Sequence, residues 1–453
     1  MRSKSFILKT AAIPLLAILG HLNIVAQTSE PLSLEKAIAL AMQNNHLLNV
    51  RKFQVDEKVQ KVNEDRIKYL PTVAIGASYQ YNTTLPSITI EQGRFGELPL
   101  GPVIIPLPAI DEVIEVGKHN IYQAGVTLYQ PLTQIGKINS GVRISRTELQ
   151  IARNEESKAA FQVRQGVEKL FFGLLILQKQ IEESQIRVTL AKTKLHDAES
   201  AIAAGKTTES SRYGLSAAAA DEEQNLLKLK IQYDDYADDL CQLTGIDPSG
   251  SLLLEPVPAE NILADLVDID TSLDQAASNN NDLRIASLYR TKAGYSIRAS
   301  KYSYLPDLGI LGGYTYQEGS DIYPKNNAFI GASLKWNVQD ILSNRTVQRQ
   351  RMLIKKQAEE NLANTREQVN KDITKAYRKL KQSEELIRVA GKVVEYRRED
   401  FKLQGDRRRS GLNLESDLLT AKAALAKSEA DLYAAQLNYR IALSELKILT
   451  GTY

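Results

Sequence analysis

The 453-residue sequence predicts a mainly α-helical protein with a transmembrane β-barrel portion, built as two tandem copies of a strand–strand–long helix–long helix unit. Three observations support that architecture. Shifted by 206 residues, the chain from Gly125 on repeats itself without a gap: Gly125 falls on Gly331, Arg143 on Arg349, Gly205 on Gly411, Tyr233 on Tyr439, and Leu-Thr-Gly at 243–245 on its copy at 449–451, while earlier segments match at a slightly larger offset, as Tyr69-Leu70-Pro71 does with Tyr304-Leu305-Pro306. Four runs alternate apolar with small or polar side chains, the period of a strand with two unlike faces. Long stretches of Ala, Leu, Gln, Glu, Lys and Arg, with 6% aromatic residues, read as extended helices rather than large cores.

Residues 1–26 read as a signal peptide: Arg2, Lys4 and Lys9 form a basic start, Ala11 to Leu19 an apolar run, and Ala26 a small residue for cleavage before Gln27. The mature chain is therefore expected to leave the cytoplasm. Removing those three cations from 57 basic side chains leaves as many bases as the 54 acids, a balance that disfavours nucleic-acid binding. No later run reaches the ~20 apolar residues of a membrane-spanning helix, and the octet at 171–178 is too short. A single cysteine, Cys241, excludes a disulfide framework and a multi-cysteine metal site, and reads as a small core residue.

The first repeat covers 27–245 and the second 246–453. Each has a helical segment that ends at Tyr-Leu-Pro, at 69–71 and 304–306. Pro71 and Pro306 push the preceding residue to extended geometry, so they serve as helix-to-strand hinges. Strands are expected at about 72–82, 121–130, 307–317 and 327–338. In the first, Val73, Ile75, Ala77, Tyr79 and Tyr81 share one face while Thr72, Ala74, Gly76, Ser78 and Gln80 share the other. Leu308, Ile310, Tyr314 and Tyr316 group likewise, as do Val126 with Leu128, and Ile330 with Leu334 and Trp336. Strands of ~10 residues with one apolar face suit an outer-membrane barrel, although a soluble sheet with one face on a core shows the same alternation. Four strands cannot close a barrel, for which ~8 is the minimum, so the membrane reading requires further copies of the chain. The Pro-rich insert at 84–110 suits a long extracellular loop rather than a strand. Its counterpart at 317–327 is much shorter.

Long helices are expected at about 137–204, 208–243, 343–409 and 413–449, the first of each pair ~100 Å long at a rise of ~1.5 Å per residue. Gly205 and Gly411 supply the reversals, and Thr207 or Asn413 can cap the returning helix. The last helix carries a seven-residue repeat, with Leu414, Ala421, Ser428, Ala435, Ala442 and Leu449 in one row and Leu418, Leu425, Leu432, Tyr439 and Leu446 in the other. That is a coiled-coil seam with small residues along one side.

In this order, and duplicated, these marks resemble the TolC-like outer-membrane efflux channel family over essentially the whole mature chain. They are the SLEKAIALAMQNN segment, the paired Tyr-Leu-Pro, GVTLYQPL and GASLKWNV, the Gly205 and Gly411 turns, and the Leu-Thr-Gly closing each half. The resemblance implies a homotrimer in which each copy gives four strands to one twelve-stranded barrel, continued by a coiled-coil α-helical tunnel across the periplasm. It implies the exit duct of a tripartite efflux pump, set in outer-membrane lipid and driven by an inner-membrane pump or ABC transporter through a periplasmic adaptor. The outer-membrane exit of a type I protein secretion system would share the fold. From another class, a soluble periplasmic coiled-coil scaffold is the alternative.

The same resemblance places the gate at the helical tips. The family carries a lumenal acid six positions after the turn glycine, a place held by Asp417 in the second repeat and Ser211 in the first; its second acid is matched by Thr420. A ring of three Asp417 is implied. The turns Ala204-Gly205-Lys206 and Ser410-Gly411-Leu412 occupy the adaptor-contact positions, the second matching the family's small-Gly-Leu pattern in full. Glu209 and Glu415 lie in first helical turns, where a carboxylate suits the dipole. Arg407-Arg408-Arg409 suits both a helix C-terminus and an adaptor contact.

Neither catalysis nor a cofactor is expected. His46, His119 and His196 lack metal-ligand spacing, and no nucleophile elbow or phosphate loop occurs. The acidic pairs at 182–183, 234–235 and 238–239 read as solvated helix faces.

Overall fold

The computed structural model describes residues 31–206, 208–247, 252–256, 268–320, 323–412 and 414–452. The expected signal peptide and the candidate caps Thr207 and Asn413 lie outside the described residues.

Each repeat opens with two helices interrupted at an asparagine. Helices α1 (Leu34–Asn44) and α2 (His46–Ile67) meet at Asn45. In the second repeat α5 (Ile269–Asn279) and α6 (Asn281–Tyr302) meet at Asn280. Both asparagines have extended backbones, and their Oδ1 atoms accept the N–H of Leu48 (3.1 Å) and Leu283 (3.0 Å). The side chain thus caps the helix that follows the break.

Strand β1 (Thr72–Tyr81) follows Pro71. The insert after it is not the expected loop. It forms two antiparallel ribbons, β2 (Ser87–Ile90) with β5 (Glu112–Glu115), and β3 (Glu97–Leu100) with β4 (Val103–Pro106). Ile88, Thr89 and Ile90 face Ile114, Val113 and Glu112, a set that is β-branched except for Glu112 and favours pairing. Pro99 and Pro106 are tolerated because a two-stranded ribbon has only edge strands. Gly101, at φ +67°, helps make the tight turn between β3 and β4.

Strands β6 (Asn120–Pro131), β7 (Asp307–Glu318) and β8 (Asn326–Lys335) complete an antiparallel sheet in the order β1-β6-β7-β8. Strand β8 stops short of the expected 338, because Val338 already has helical dihedrals. Ile75 stands opposite Val126, Val126 opposite Tyr314, and Gly312 opposite Ile330. Since directly opposed residues share a face, the apolar sets of all four strands lie on one side of one sheet. That side is bare in the single chain: Ile75 is 81% and Ile330 86% exposed.

Helices α3 (Ile135–Ala203) and α7 (Gln339–Arg409) contain 69 and 71 residues, so each runs about 100 Å. The returning helices α4 (Glu209–Thr244) and α8 (Glu415–Thr450) have 36 residues each and end at the left-handed glycines Gly245 and Gly451. Cys241 is buried in α4. Helix α8 buries a further seven-residue row besides those of the expected seam. The seam residues Tyr439, Ala442 and Leu446 pack with Val369, Ile373, Ala376 and Leu380 of α7. The further row, Ser416, Ala423, Ala430, Leu437 and Ser444, is also buried, and its Leu437 joins Phe171, Phe172, Leu174 and Leu175 of α3. Helix α8 is therefore wedged between the long helices of the two repeats.

Below the sheet, α2 is fastened to α3 by a nearly buried carboxylate. Asp65 accepts hydrogen bonds from Ser145 Oγ of α3 and from Lys68 Nζ (2.6 Å). Burial pushes its carboxyl up, but the bonds from Lys68 and Ser145 and the charges of Lys68 and Lys61 outweigh this and hold it below the usual range. A lowered carboxyl stabilises the fold above its unfolded value and loses that contribution as pH falls through its folded value. Asp65→Ala should therefore reduce stability at neutral pH by about 1–3 kcal/mol. Denaturant titrations should show the gap to the parent closing as pH drops through and below the ordinary carboxylate range. A gap independent of pH would contradict this account of the tie.

Candidate functional site

Among the described residues no helix is long and apolar enough to cross a membrane, and no group of His, Cys, Asp or Glu could hold a metal ion. The surface suited to lipid is instead the bare apolar face of the sheet. Its other face carries Ala74, Gly76 and Ser78 of β1, Gln123, Gly125 and Thr127 of β6, and Gly313 and Thr315 of β7, small and polar groups that water can wet. Strands β1 and β8 each pair on one side, leaving two open edges.

The opposite end of the molecule is formed by two helical turns of the same geometry. At the α3–α4 turn, Gly205 has φ +65°; its N–H bonds Ile202 O (2.9 Å), and Lys206 N–H bonds Ala201 O (2.9 Å). At the α7–α8 turn, Gly411 has φ +71°, with Gly411 N–H on Arg408 O (3.1 Å) and Leu412 N–H on Arg407 O (2.9 Å). The last carbonyls of both long helices are satisfied in this way. A Cβ at either glycine would meet nothing within 4 Å, so glycine is needed there for its dihedral and not for space. Ala204 and Ser410 precede these glycines as the helix-ending residues.

Charges around the second turn are mutually engaged. Arg408 reaches across to Glu415 (3.0 Å), Arg409 turns back to Asp406 (2.5 Å), and the exposed Asp417 accepts the N–H of Leu414 through Oδ2 (3.2 Å). Asp417 thus caps the first turn of α8, where a carboxylate also meets the positive end of the helix dipole. Ser211, the corresponding residue of α4, is exposed, and its N–H bonds Thr208 O (3.1 Å). Glu209 pairs with Arg212 (3.0 Å) in the first turn of α4.

Thr420, one turn beyond Asp417, lines a cleft of about 480 Å³ between α3, α4 and α8. Arg187 and Lys194 of α3, Glu222 of α4 and Lys427 of α8 stand around it. These cations went unnoticed in the sequence, although Arg187 and Lys194 stand seven residues apart, as do Thr420 and Lys427. Heptad spacing of charges was the available signal. Pro71 and Pro306 stand immediately before β1 and β7.

The sequence profile of the family described as "Outer membrane efflux protein" matches residues 37–246 and 272–452. A comparison with curated proteins returned no match. The fold is similar to three solved outer-membrane proteins. VceC of Vibrio cholerae has a TM-score of 0.69 at 15% identity, over 92% of this chain and 96% of that one. The CmeC channel of Campylobacter jejuni has 0.71 at 16%, over 99% and 94%. The open-state MtrE channel of Neisseria gonorrhoeae has 0.71 at 16%, over 92% and 88%.

The cap at Asp417 makes a separable prediction. Asp417→Ala should remove the acceptor and speed amide exchange in the first turn of α8 by roughly two- to five-fold, from a loss of about 0.5–1 kcal/mol. Asp417→Asn retains an acceptor oxygen and should exchange close to the parent rate. Equal acceleration in both variants would contradict the capping role.

Proposed function

The chain belongs to the outer membrane efflux protein family, and we propose that three copies of it form the exit duct of a tripartite efflux pump. Each copy would give four strands to a twelve-stranded barrel and four long helices to a tunnel through the periplasm. Proteins of this family are conduits in the outer membrane, not enzymes. Energy would come from an inner-membrane transporter, reached through a periplasmic adaptor at the turns around Gly205 and Gly411.

The observation that carries this reading is the junction between the two repeats. Inside the chain, β7 pairs with β6, while α6 and α8 lie against α3. Their counterparts in the first repeat, β1, α2 and α4, pack on elements of their own repeat and are bare on the other side. Ile231 of α4 is the counterpart of Leu437 of α8. Leu437 is fully buried, whereas Ile231 is 52% exposed. Phe53 of α2 corresponds to Leu288 of α6; Leu288 is half-buried and Phe53 is 70% exposed. Strand β8 and helix α7 of a second copy would supply the missing neighbours by repeating the in-chain junction between chains. The bare positions are thus where a ring of repeats needs its seams.

At the closed tip, three Asp417 carboxylates would form an acidic ring facing the lumen. Detergent-extracted protein in a planar bilayer should conduct ions, and multivalent cations should block it. Asp417→Asn should lose part of the block, while Glu415→Gln, on the far side of the helix and paired with Arg408, should keep it. No conductance would contradict the duct; equal responses of the two variants would contradict the ring.

A further inference from the structure

We propose that the segment between β1 and β6 is a contact between copies that narrows the extracellular mouth, its partner being the same segment of a second copy; this rests on the trimeric reading. The segment is an ordered outgrowth of the barrel. Asn82 N–H bonds His119 O (2.8 Å), the Tyr81 and His119 rings stack at 5.7 Å, and Lys118 N–H bonds Gly319 O (2.8 Å) beside β7. Its base is therefore fixed at the end of the sheet where β1, β6 and β7 meet.

The distal β3/β4 ribbon has one wholly aliphatic face. Leu98 is opposite Ile105 and Leu100 opposite Val103, while Glu97, Pro99, Ile104 and Pro106 lie on the reverse. Leu98, Leu100 and Val103 are about half exposed in the single chain. An isolated two-stranded ribbon is marginal in water without a surface to cover such a face. Lipid fits poorly as that cover. Residues 82–119 carry five acidic and two basic side chains and no Tyr or Trp, so anionic headgroups would be repelled and the usual interfacial aromatics are missing. A second copy fits better: Glu97 sits on the reverse face, and aliphatic faces turned to a common axis can meet without enclosing it.

The test uses full-length protein in its native membrane with one cysteine placed on either face, Leu98→Cys or Ile104→Cys. The natural Cys241 is buried. A short bis-maleimide should link Cys-substituted position 98 into covalent dimers within the trimer and leave the position-104 variant largely monomeric. Native mass spectrometry of the same samples reports the trimer separately. Intact trimers with no 98–98 product, or with equal yields from both faces, would overturn the contact while leaving the trimer standing. A product between position 98 and lipid or another protein, without the 98–98 product, would also overturn it.

Discussion

A backbone N–H or C=O without a partner costs several kcal/mol in hydrocarbon, where no water can replace it. The sheet of this protein meets that requirement at β6 and β7, which pair on both sides, and fails it along one edge each of β1 and β8. Short or charged edges would blunt the problem in a soluble sheet. Here the open edges belong to ten-residue strands whose apolar side chains continue to the rim. In lipid, such edges must be filled by strands of the same kind.

The helices make the same demand in water. The pairing of β7 with β8 reproduces that of β1 with β6 when both strands are moved by the repeat offsets. The β6–β7 pairing can be moved in the same way. It then predicts β8 beside β1 of the next copy, with Leu334 opposite Ala77 and Ile330 opposite Tyr81, so every apolar residue keeps to the lipid face. Beneath that seam, Phe53 of α2 and Ile231 of α4 lie bare on the side where α7 of the neighbour would arrive. One junction, present inside the chain and repeated between chains as proposed, would account for both the sheet edges and the exposed apolar helix positions.

Much of this was legible in the sequence because duplication doubles each signal. Tyr-Leu-Pro, the turn glycines and the alternating strand faces each occur twice at matching offsets. What escaped reading lacked a hydrophobic period. The further buried row of α8 consists mostly of Ser416, Ala423, Ala430 and Ser444, small residues that sequence patterns score as neutral but that permit close helix approach. The ribbons of the insert were hidden by Pro99 and Pro106, since proline argues against strands everywhere except at edges. Asp417 was singled out by the family resemblance, which places an acid six positions after Gly411. Its bond to the Leu414 N–H was not, because a backbone partner leaves no mark on residue identity.

The central claim is that the chain's internal junction recurs between copies and closes after three. Paired substitutions Ala77→Cys and Leu334→Cys, on β1 and β8, test it most directly, since directly opposed residues of an antiparallel pair have Cα atoms ~4.5–5.5 Å apart, within the ~4.4–6.8 Å that a disulfide spans. Oxidised in the membrane and run in denaturing gels, the double variant should give a ladder of one, two and three covalently joined chains that ends at three, while each single variant stays monomeric. Monomers alone, or a ladder extending past three, would contradict the account.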